Sequence, residues 1–336
     1  MYQTFLGPKL RKTAIDGYLG GEKSGLFDDE QFAGIMLKKY ALSIHYKKAG
    51  SIDMISAPLE GIDYLFPSSY TALELYKQRY GSAYKRAEVV FNSPIVLYTR
   101  KSVSDALKKQ GWVRTEDETE YIDLVKLIDA VLADTKWSSI GIEELYGNIY
   151  VISTDPLKSN SGNMFAGLVA NMLNSGEVAT EESLETDGRE LKRFFSKLGY
   201  LESSSADLFN SFLKTGVGAK PVIVGYESQI LEFSVEHPAD WDYVKDDIVV
   251  LYPEPTVWSA HPFIALTGNG DQVIDALLEK EIQTLAWETH GFRTGIASGQ
   301  QAGKQFDIKG VPGQVKKVIQ LPNPDTMQKI MDIISN

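Results

Sequence analysis

Short apolar segments alternate with longer segments of helical periodicity along most of this chain. Residues 14–19, 42–46 and 64–66 are apolar and are followed by turn-forming or polar residues, which is typical of strands. Residues 27–40 carry apolar side chains at helical spacing behind an acidic first turn, and residues 70–80 also have a helical pattern. Strands that alternate with helices favour parallel sheets with right-handed crossovers. The pattern therefore predicts an α/β fold.

The same alternation continues to the C-terminus. We expect strands over 149–153, 222–225, 248–252, 263–266 and 315–319, and helices over 105–110, 121–133, 164–173, 189–198, 206–215, 271–289 and 324–334. The apolar segment 89–99 is interrupted by Asn92-Ser93-Pro94, which we interpret as a bend because proline is excluded from central strands. The glycine-rich segment 295–313 is predicted to be an exposed loop.

The composition excludes several classes of protein. Of 336 residues, 43% are hydrophobic and 24% are charged, which rules out a disordered, collagen-like or coiled-coil chain. At about 150 residues per domain, the length favours two domains or one two-lobed unit. The 34 basic and 45 acidic residues give a net charge of −11, whereas nucleic-acid binding through phosphates needs a basic face. No apolar segment reaches the roughly 18 residues of a membrane span.

Sequence motifs of catalysis and metal binding are missing. There is no cysteine, so thiolate metal sites, cysteine nucleophiles and disulfides are excluded. No G-x-G-x-x-G follows a strand, no G-x-S-x-G is present, and the glycines of 299–304 have the wrong spacing for a phosphate loop. The four histidines, His45, His237, His261 and His290, form no i,i+4 pair, and we expect each to be structural. We therefore predict no catalytic residue, no metal site and no cofactor.

Four polar turns, each at the predicted end of a strand, stand out instead. They are residues 21–24, 67–69, 159–162 and 225–228. In open α/β sheets, ligands bind at the carboxyl ends of strands. Ser159, Asn160 and Ser161 are good N-cap residues, and the free amides of a helix N-terminus also receive anions or polar groups. From this turn alone, helix capping and ligand binding both remain open.

Five segments match the motifs of one known family. They are ISTDPLKSNSG at 152–162, GGEKSGLFD at 20–28, AGSIDM at 49–54, YPEP at 252–255 and HGFR at 290–293. They resemble segments of the bacterial extracellular solute-binding proteins with the type II periplasmic-binding-protein fold, among them the family's T-D-P…S-N-S-G, G-S-E-K and A-G-S-x-D-M motifs. Gly21 stands where the family usually has a serine. The resemblance extends over about residues 14–295.

The resemblance implies two α/β lobes joined by two strand crossovers. With crossovers at 92–94 and 252–255, lobe one combines residues 1–94 with 254–336, and lobe two is 95–253. The four polar turns would then face one cleft between the lobes. The ligand-binding residues implied in this way are Glu22, Lys23, Ser68, Ser69, Ser159, Asn160, Ser161, Gly162, Tyr226 and Glu227. Whether Arg293 also reaches the cleft is left open.

The function implied by the resemblance is capture of a small solute outside the cytoplasmic membrane and delivery to the permease of an ABC-type transporter, without covalent chemistry. The serines, Lys23 and a helix N-terminus favour a ligand with an anionic group, whereas Tyr226 and the two glutamates suit a larger organic ligand. Two alternatives stay open. One is an enzyme on the same scaffold, with Glu22 and Glu227 as an acid–base pair. The other is a surface sensor or interaction module that binds a partner protein.

The expected location is extracytoplasmic, either at the cell surface or in the periplasm. Similar proteins are exported, and in Gram-positive bacteria they are often lipoproteins anchored through a cysteine near the mature N-terminus. Residues 1–12 lack the features of a secretory signal. We therefore expect the leader and any anchoring cysteine to precede Met1, with contact to the membrane only through that lipid anchor.

Overall fold

A computed structural model describes residues 12–199, 201–295, 306 and 308–335. The strands are β1 Thr13–Leu19, β2 Leu42–Lys48, β3 Tyr64–Phe66, β4 Arg86–Arg100, β5 Val113–Glu116, β6 Thr119–Ile122, β7 Val222–Tyr226, β8 Ile248–Pro253 and β9 Trp258–Ala265. The helices are α1 Ser24–Asp28, α2 Glu30–Tyr40, α3 Asp53–Ser56, α4 Tyr70–Tyr80, α5 Lys101–Lys109, α6 Leu124–Leu132, α7 Asn160–Leu173, α8 Ser183–Ser196, α9 Ser205–Lys214, α10 Glu227–Glu236, α11 Pro238–Val244, α12 Gly268–Leu278, α13 Lys280–Glu288 and α14 Pro324–Ser335. The alternating α/β organisation predicted from the sequence is confirmed. Within the described residues, none of these helices combines the length and the apolar character that crossing a bilayer requires.

The long strand β4 joins two sheets. In the first sheet the strand order is β2-β1-β3-β9-β4, with β1 parallel to both β2 and β3 and with β9 antiparallel to β3 and β4. In the second sheet the C-terminal half of β4 pairs with β7 on one side and with β8 on the other. Strands β6 and β5 extend that second sheet beyond β8. Two sheets that share one strand are the basis of a two-lobed fold.

Pro94 lies inside β4, so the predicted bend at 92–94 is wrong. Pro94 is the last residue of β4 that pairs with β9, opposite Trp258. The next residue, Ile95, already pairs with Tyr226 of β7. Because β4 changes partners at this point, the missing N–H of proline falls at the change and the strand continues through it.

Several other predicted elements differ from those in the structure. The predicted helix 271–289 is two helices, because Glu279 adopts an extended conformation between α12 and α13. The predicted strands 149–153 and 315–319 form only isolated bridges, through Ile152 and Val318. Of the predicted loop 295–313, residues 296–305 and 307 lie outside the described residues, including the 299–304 segment. Three apolar residues in the remainder, Phe306, Ile308 and Val311, are buried, so the prediction of an exposed loop is wrong for these residues, whereas Lys309 is exposed.

Hydrophobic side chains form separate cores on the two sheets. One core packs α2, α12 and α13 against the first sheet, and two others cover the faces of the second sheet. The C-terminal helix α14 packs through Met327 and Ile330 against α7 and α8, two helices of the core on the second sheet. The predicted division placed residues 254–336 in lobe one, whereas this helix contacts lobe two.

Candidate functional site

A polar cleft of about 320 Å³ opens between elements of the two sheets. The first sheet contributes the turn that follows β1 and the segment that follows β2. The second sheet contributes the N-termini of α7 and α9 and the end of β7. The lining residues are Gly20, Gly21, Glu22, Lys48, Ala49, Gly50, Ser51, Lys158, Ser159, Asn160, Ser203, Ser204, Ser205, Asp207 and Tyr226.

The turn after β1 is compact because Gly20 has no side chain. The amide of Gly20 donates to the carbonyl of Phe66, and the amide of Lys23 donates back to the carbonyl of Gly20. A Cβ on Gly20 would lie 2.7–2.8 Å from polar atoms of Glu22, Ser68 and Lys23. The glycine therefore lets these three side chains come together directly beneath the backbone of the turn.

Lys23 is fully buried below the cleft. Its Nζ donates to Ser68 Oγ at 2.7 Å and to Nδ1 of His261 at 3.3 Å, and it forms an ion pair with Glu22. The same Nζ lies 4.8 Å from the centre of the Phe66 ring. Burial lowers the pKa of Lys23, and the neighbouring Glu22 carboxylate opposes that effect. The lysine thus anchors the turn from below and does not line the cleft.

His261 completes this buried network as a neutral imidazole. Since an ammonium group only donates, Nδ1 of His261 accepts from Lys23 and the ring proton resides on Nε2. Nε2 lies 3.2 Å from Ser259 Oγ, which donates to the carbonyl of Ser68 at 2.7 Å. Burial first, and then the charge of Lys23, lower the pKa of His261 well below its ordinary value of 6.5.

Asn160 connects the two sides of the cleft. Its Nδ2 donates to the carbonyl of Ser68 at 2.7 Å and to the hydroxyl of Tyr226 at 3.0 Å. The Oδ1 atom of the same side chain is buried and has no hydrogen-bond partner among the described residues. Burial raises the pKa of Tyr226, so its phenol stays protonated. The cleft wall therefore contains one buried amide oxygen whose hydrogen bond the described residues leave unmade, an acceptor that a ligand donor would satisfy.

Two helix N-termini point their amide ends at this region. Ser159 is the N-cap residue of α7, but its side chain makes no capping hydrogen bond. Ser204 caps α9 by accepting from the amide of Asp207 at 3.3 Å. Helix N-termini carry a partial positive charge and favour anions. Lys48 and Lys158 add cationic side chains to the lining, whereas Asp207 and Glu22 add anionic ones.

The structure brings four of the ten predicted site residues to the cleft lining, namely Glu22, Ser159, Asn160 and Tyr226. Lys23 and Ser68 lie beneath it in the buried network. Ser68 is only 1% exposed, and its hydroxyl is shared between Lys23 and the Glu22 carboxylate.

The remaining four predicted residues have other partners. Ser69 caps α4 by accepting from the amide of Thr71. The buried hydroxyl of Ser161 lies 2.7 Å from Thr154 Oγ1. A Cβ on Gly162 would lie 2.2 Å from the carbonyl oxygen of Thr154. The absence of a side chain at Gly162 therefore lets the first turn of α7 pack closely against the backbone of Thr154, so Gly162 serves packing and does not line the cleft.

Glu227 forms a buried ion pair with Arg293 outside the cleft. Arg293 donates from Nη2 to Oε1 of Glu227 at 2.8 Å and from Nε to Oε2 at 2.6 Å. Tyr252 donates its hydroxyl to the same Oε1 at 2.6 Å, and Arg293 also donates to the carbonyls of Pro312 and Gly313. Arg293 is thus engaged with Glu227 and is not among the residues that line the cleft.

Several cleft residues were not predicted from the sequence, namely residues 48–51 and 203–205, Lys158 and Asp207. A signal for the first group was present, because the AGSIDM segment follows β2 and β2 is the parallel neighbour of β1. The carboxyl ends of neighbouring parallel strands meet at one edge of a sheet. Lys158 likewise lies inside the 152–162 segment, between a bridge residue and α7.

Comparisons with known proteins support the fold. No family model matches the chain, and no curated protein matches it. Among solved structures, an extracellular solute-binding protein from Bordetella parapertussis superimposes with a TM-score of 0.61 at 11% identity, covering 97% of this chain and 98% of that one. Iron-bound HitA from Pseudomonas aeruginosa gives a TM-score of 0.59 at 10% identity, covering 96% and 100%.

This chain has the fold of the extracellular solute-binding proteins. The sulfate-binding protein SubI from Mycobacterium tuberculosis is a third example, with a TM-score of 0.53 at 14% identity over 92% of this chain and 94% of that one. At these identities the solute-binding-protein fold is common to the structures, whereas the ligand differs between them, iron in HitA and sulfate in SubI.

Proposed function

We propose that this protein binds a small solute in the cleft between its lobes and delivers it to the permease of an ABC-type transporter. The lobes are residues 1–94 with 254 onward and residues 95–253, with α14 packed on the second lobe. The proposal places the protein outside the cytoplasmic membrane, with a lipid anchor as its only membrane attachment. It involves no covalent chemistry.

The observation that carries the proposal is the position of Asn160. Its amide nitrogen contacts Ser68 from the other lobe, while its buried Oδ1 has no hydrogen-bond partner among the described residues. An unpaired buried acceptor costs about 1–3 kcal/mol. A ligand that donates a hydrogen bond to Oδ1 removes this cost only when the lobes are together, which couples binding to closure.

The charges of the cleft favour a ligand with an anionic group. Lys48 and the N-terminus of α7 form a positive region, and Lys158 extends it while also contacting Asp155 at 3.3 Å. Asp207 and Glu22 lie on the same lining and suit donor groups of the ligand. We therefore propose a small organic solute that combines one carboxylate or other oxyanion with at least one hydroxyl or amine.

Two measurements test this function. Mass spectrometry of the protein purified without denaturation identifies any solute that it carries, and isothermal titration calorimetry then measures the affinity. Lys158→Gln and Lys48→Gln should each weaken binding by about 2- to 13-fold, which corresponds to about 0.5–1.5 kcal/mol. Lys192→Gln is a matched control, because Lys192 is exposed on α8 outside the cleft.

A screen in which only cationic or uncharged compounds raise the melting temperature would overturn the anionic assignment. Wild-type affinity in both cleft lysine variants would overturn it as well. Conversion of the bound solute into a product would contradict the transport proposal and favour an enzyme. An unchanged solute recovered from the protein supports transport.

A further inference from the structure

A second cluster of ligating side chains lies outside the cleft, around His290. His290 follows α13, which packs on the first sheet, and its side chain is fully buried. Two glutamates of α10, Glu232 and Glu236, face one edge of its ring, and Asp29 from the N-terminus of α2 faces the other. The cluster therefore connects three helical segments that are far apart in the sequence.

The distances on one side of the ring suit a shared cation. Nδ1 of His290 lies 2.7 Å from Oε1 of Glu232 and 3.7 Å from Oε1 of Glu236. One ligand atom from each of these three residues lies within 4.8 Å of the others. Zinc–nitrogen and zinc–oxygen bonds of about 2.0–2.2 Å require ligand atoms about 3.3 Å apart in a tetrahedral site. The two observed separations bracket that value.

On the other side of the ring, Nε2 has no hydrogen-bond partner among the described residues. The carboxylate of Asp29 lies beside it, with Oδ2 at 3.5 Å, while Oδ1 of Asp29 accepts from the amide of Phe32. A histidine that binds a metal typically directs its second N–H at a carboxylate, which fixes the tautomer. Asp29 lies on the side of the ring that this role needs, at a distance slightly longer than a hydrogen bond.

A single ring proton does not satisfy this arrangement. With the proton on Nε2, the Nδ1 lone pair faces the Glu232 carboxylate. With the proton on Nδ1, the buried Nε2 lone pair faces Asp29. Three carboxyl groups, those of Glu232, Glu236 and Asp29, thus face one imidazole. Among the described residues, no lysine or arginine forms an ion pair with Glu232 or Glu236.

We propose that His290, Glu232 and Glu236 bind a divalent metal ion, with Asp29 as the positioning residue for the imidazole. One imidazole nitrogen and two carboxylate oxygens form a donor set that suits Zn²⁺, with a further position open to water. Gly25 provides the space, because a Cβ there would lie 2.0 Å from Oε1 of Glu232. A bound ion would tie α10 of the second sheet to α2 and α13 of the first.

Metal titration of the tag-free protein tests the proposal. After dialysis against EDTA, calorimetry with Zn²⁺ should show one equivalent bound, and Co²⁺ should give the visible absorption bands of a low-coordinate nitrogen–oxygen site. Glu236→Gln should weaken binding by at least 10-fold, and because Glu236 is partly exposed its replacement should leave the fold intact. Asp29→Asn should weaken it by about 10- to 100-fold, as loss of an outer-shell partner does.

Glu143→Gln is the matched control, because Glu143 is an exposed glutamate outside the cluster. It should bind Zn²⁺ like the wild type. His290→Gln should abolish binding, with folding checked by circular dichroism and by thermal unfolding. The proposal is overturned if the wild type binds no Zn²⁺ or Co²⁺, or if folded His290→Gln and Glu236→Gln proteins bind as tightly as the wild type.

Discussion

Asn160, the first residue of α7, donates a hydrogen bond to the backbone carbonyl of Ser68, which follows β3, with its Nδ2 2.7 Å from that oxygen. The residues are 92 positions apart, and each belongs to a polar turn recognised in the sequence. The same carbonyl also accepts from Ser259, next to the strand change at Pro94. The carbonyl oxygen of Ser68 therefore links the N-terminus of α7 to the part of β9 that pairs with β4 near Pro94.

Loss of this contact should weaken solute binding more than folding. Asn160→Ala removes the donor to Ser68 and the free Oδ1 acceptor together. At about 0.5–1.5 kcal/mol for each hydrogen bond, the dissociation constant should rise about 2- to 13-fold for each one lost. Calorimetry with the solute recovered from the protein provides the measurement.

Asn210→Ala is the control for this change, because Asn210 is an exposed asparagine of α9. It should bind solute as the wild type does. Equal affinity in Asn160→Ala and Asn210→Ala would remove Asn160 from the binding site.

A bulky side chain at position 50 should block closure of the cleft. A Cβ on Gly50 would lie 2.9 Å from the backbone carbonyl of Lys158 across the cleft, and 2.8 Å from the side-chain carboxylate of Asp53 on its own side, which can rotate away. Gly50→Leu should therefore disfavour the closed form and weaken solute binding by more than about 10-fold, which is 1.4 kcal/mol. In small-angle scattering, the radius of gyration of the wild type should fall on saturation with solute, whereas that of Gly50→Leu should not.

Gly218→Leu is the matched control, since a Cβ on Gly218 has nothing within 4 Å. It should close and bind normally. A wild-type profile that stays unchanged at saturation would contradict closure itself.

Elements whose ends are marked by turn-forming or capping residues next to them were predicted well from the sequence. β3 and α4 match their predicted bounds, because Pro67, Ser68 and Ser69 end the strand and start the helix. The hairpin of β5 and β6 was missed. Its turn residues Asp117 and Glu118 both have positive φ, at 48° and 66°, but neither is the glycine or asparagine that marks such a turn.

The buried network under the cleft shows why part of the site could not be predicted. Lys23 and His261 are 238 positions apart, and no periodicity relates them. Their contact depends on β9 lying between β3 and β4, which only the sheet topology establishes. The polar turns were predictable because each lies next to its own strand end. Which of their side chains face the cleft depends on the packing of α7 and α9.

Removing one partner of the Glu22–Lys23 ion pair should destabilise the fold more than removing both. Lys23 is fully buried and the Glu22 side chain is 7% exposed. Lys23→Met leaves the Glu22 carboxylate without its cation and should cost about 3–5 kcal/mol, because a nearly buried charge loses its partner. The double variant Glu22→Gln/Lys23→Met removes both charges and should recover most of that loss. Urea unfolding of the three proteins measures the difference, and equal stability of the single and double variants would contradict the coupling.

His261 should contribute to acid sensitivity. Burial and the charge of Lys23 hold its pKa in the folded protein well below 6.5, so below pH 6.5 the unfolded chain takes up a proton that the folded protein does not. The contribution of His261 to the free energy of unfolding is therefore fully present above pH 6.5. It is lost as the pH falls, at up to about 1.4 kcal/mol per pH unit. For His261→Gln, the free energy of unfolding measured in urea should therefore depend less steeply on pH between about 6.5 and 4.5 than it does for the wild type.

The slope of this pH dependence is the informative quantity, because the substitution also lowers stability at every pH by disturbing Lys23 and Ser259. His45→Gln is the matched control, because the side chain of His45 is 56% exposed and lies outside the buried network. Equal slopes in the wild type and His261→Gln would show that His261 takes up its proton in the folded state, which the lysine beside it opposes.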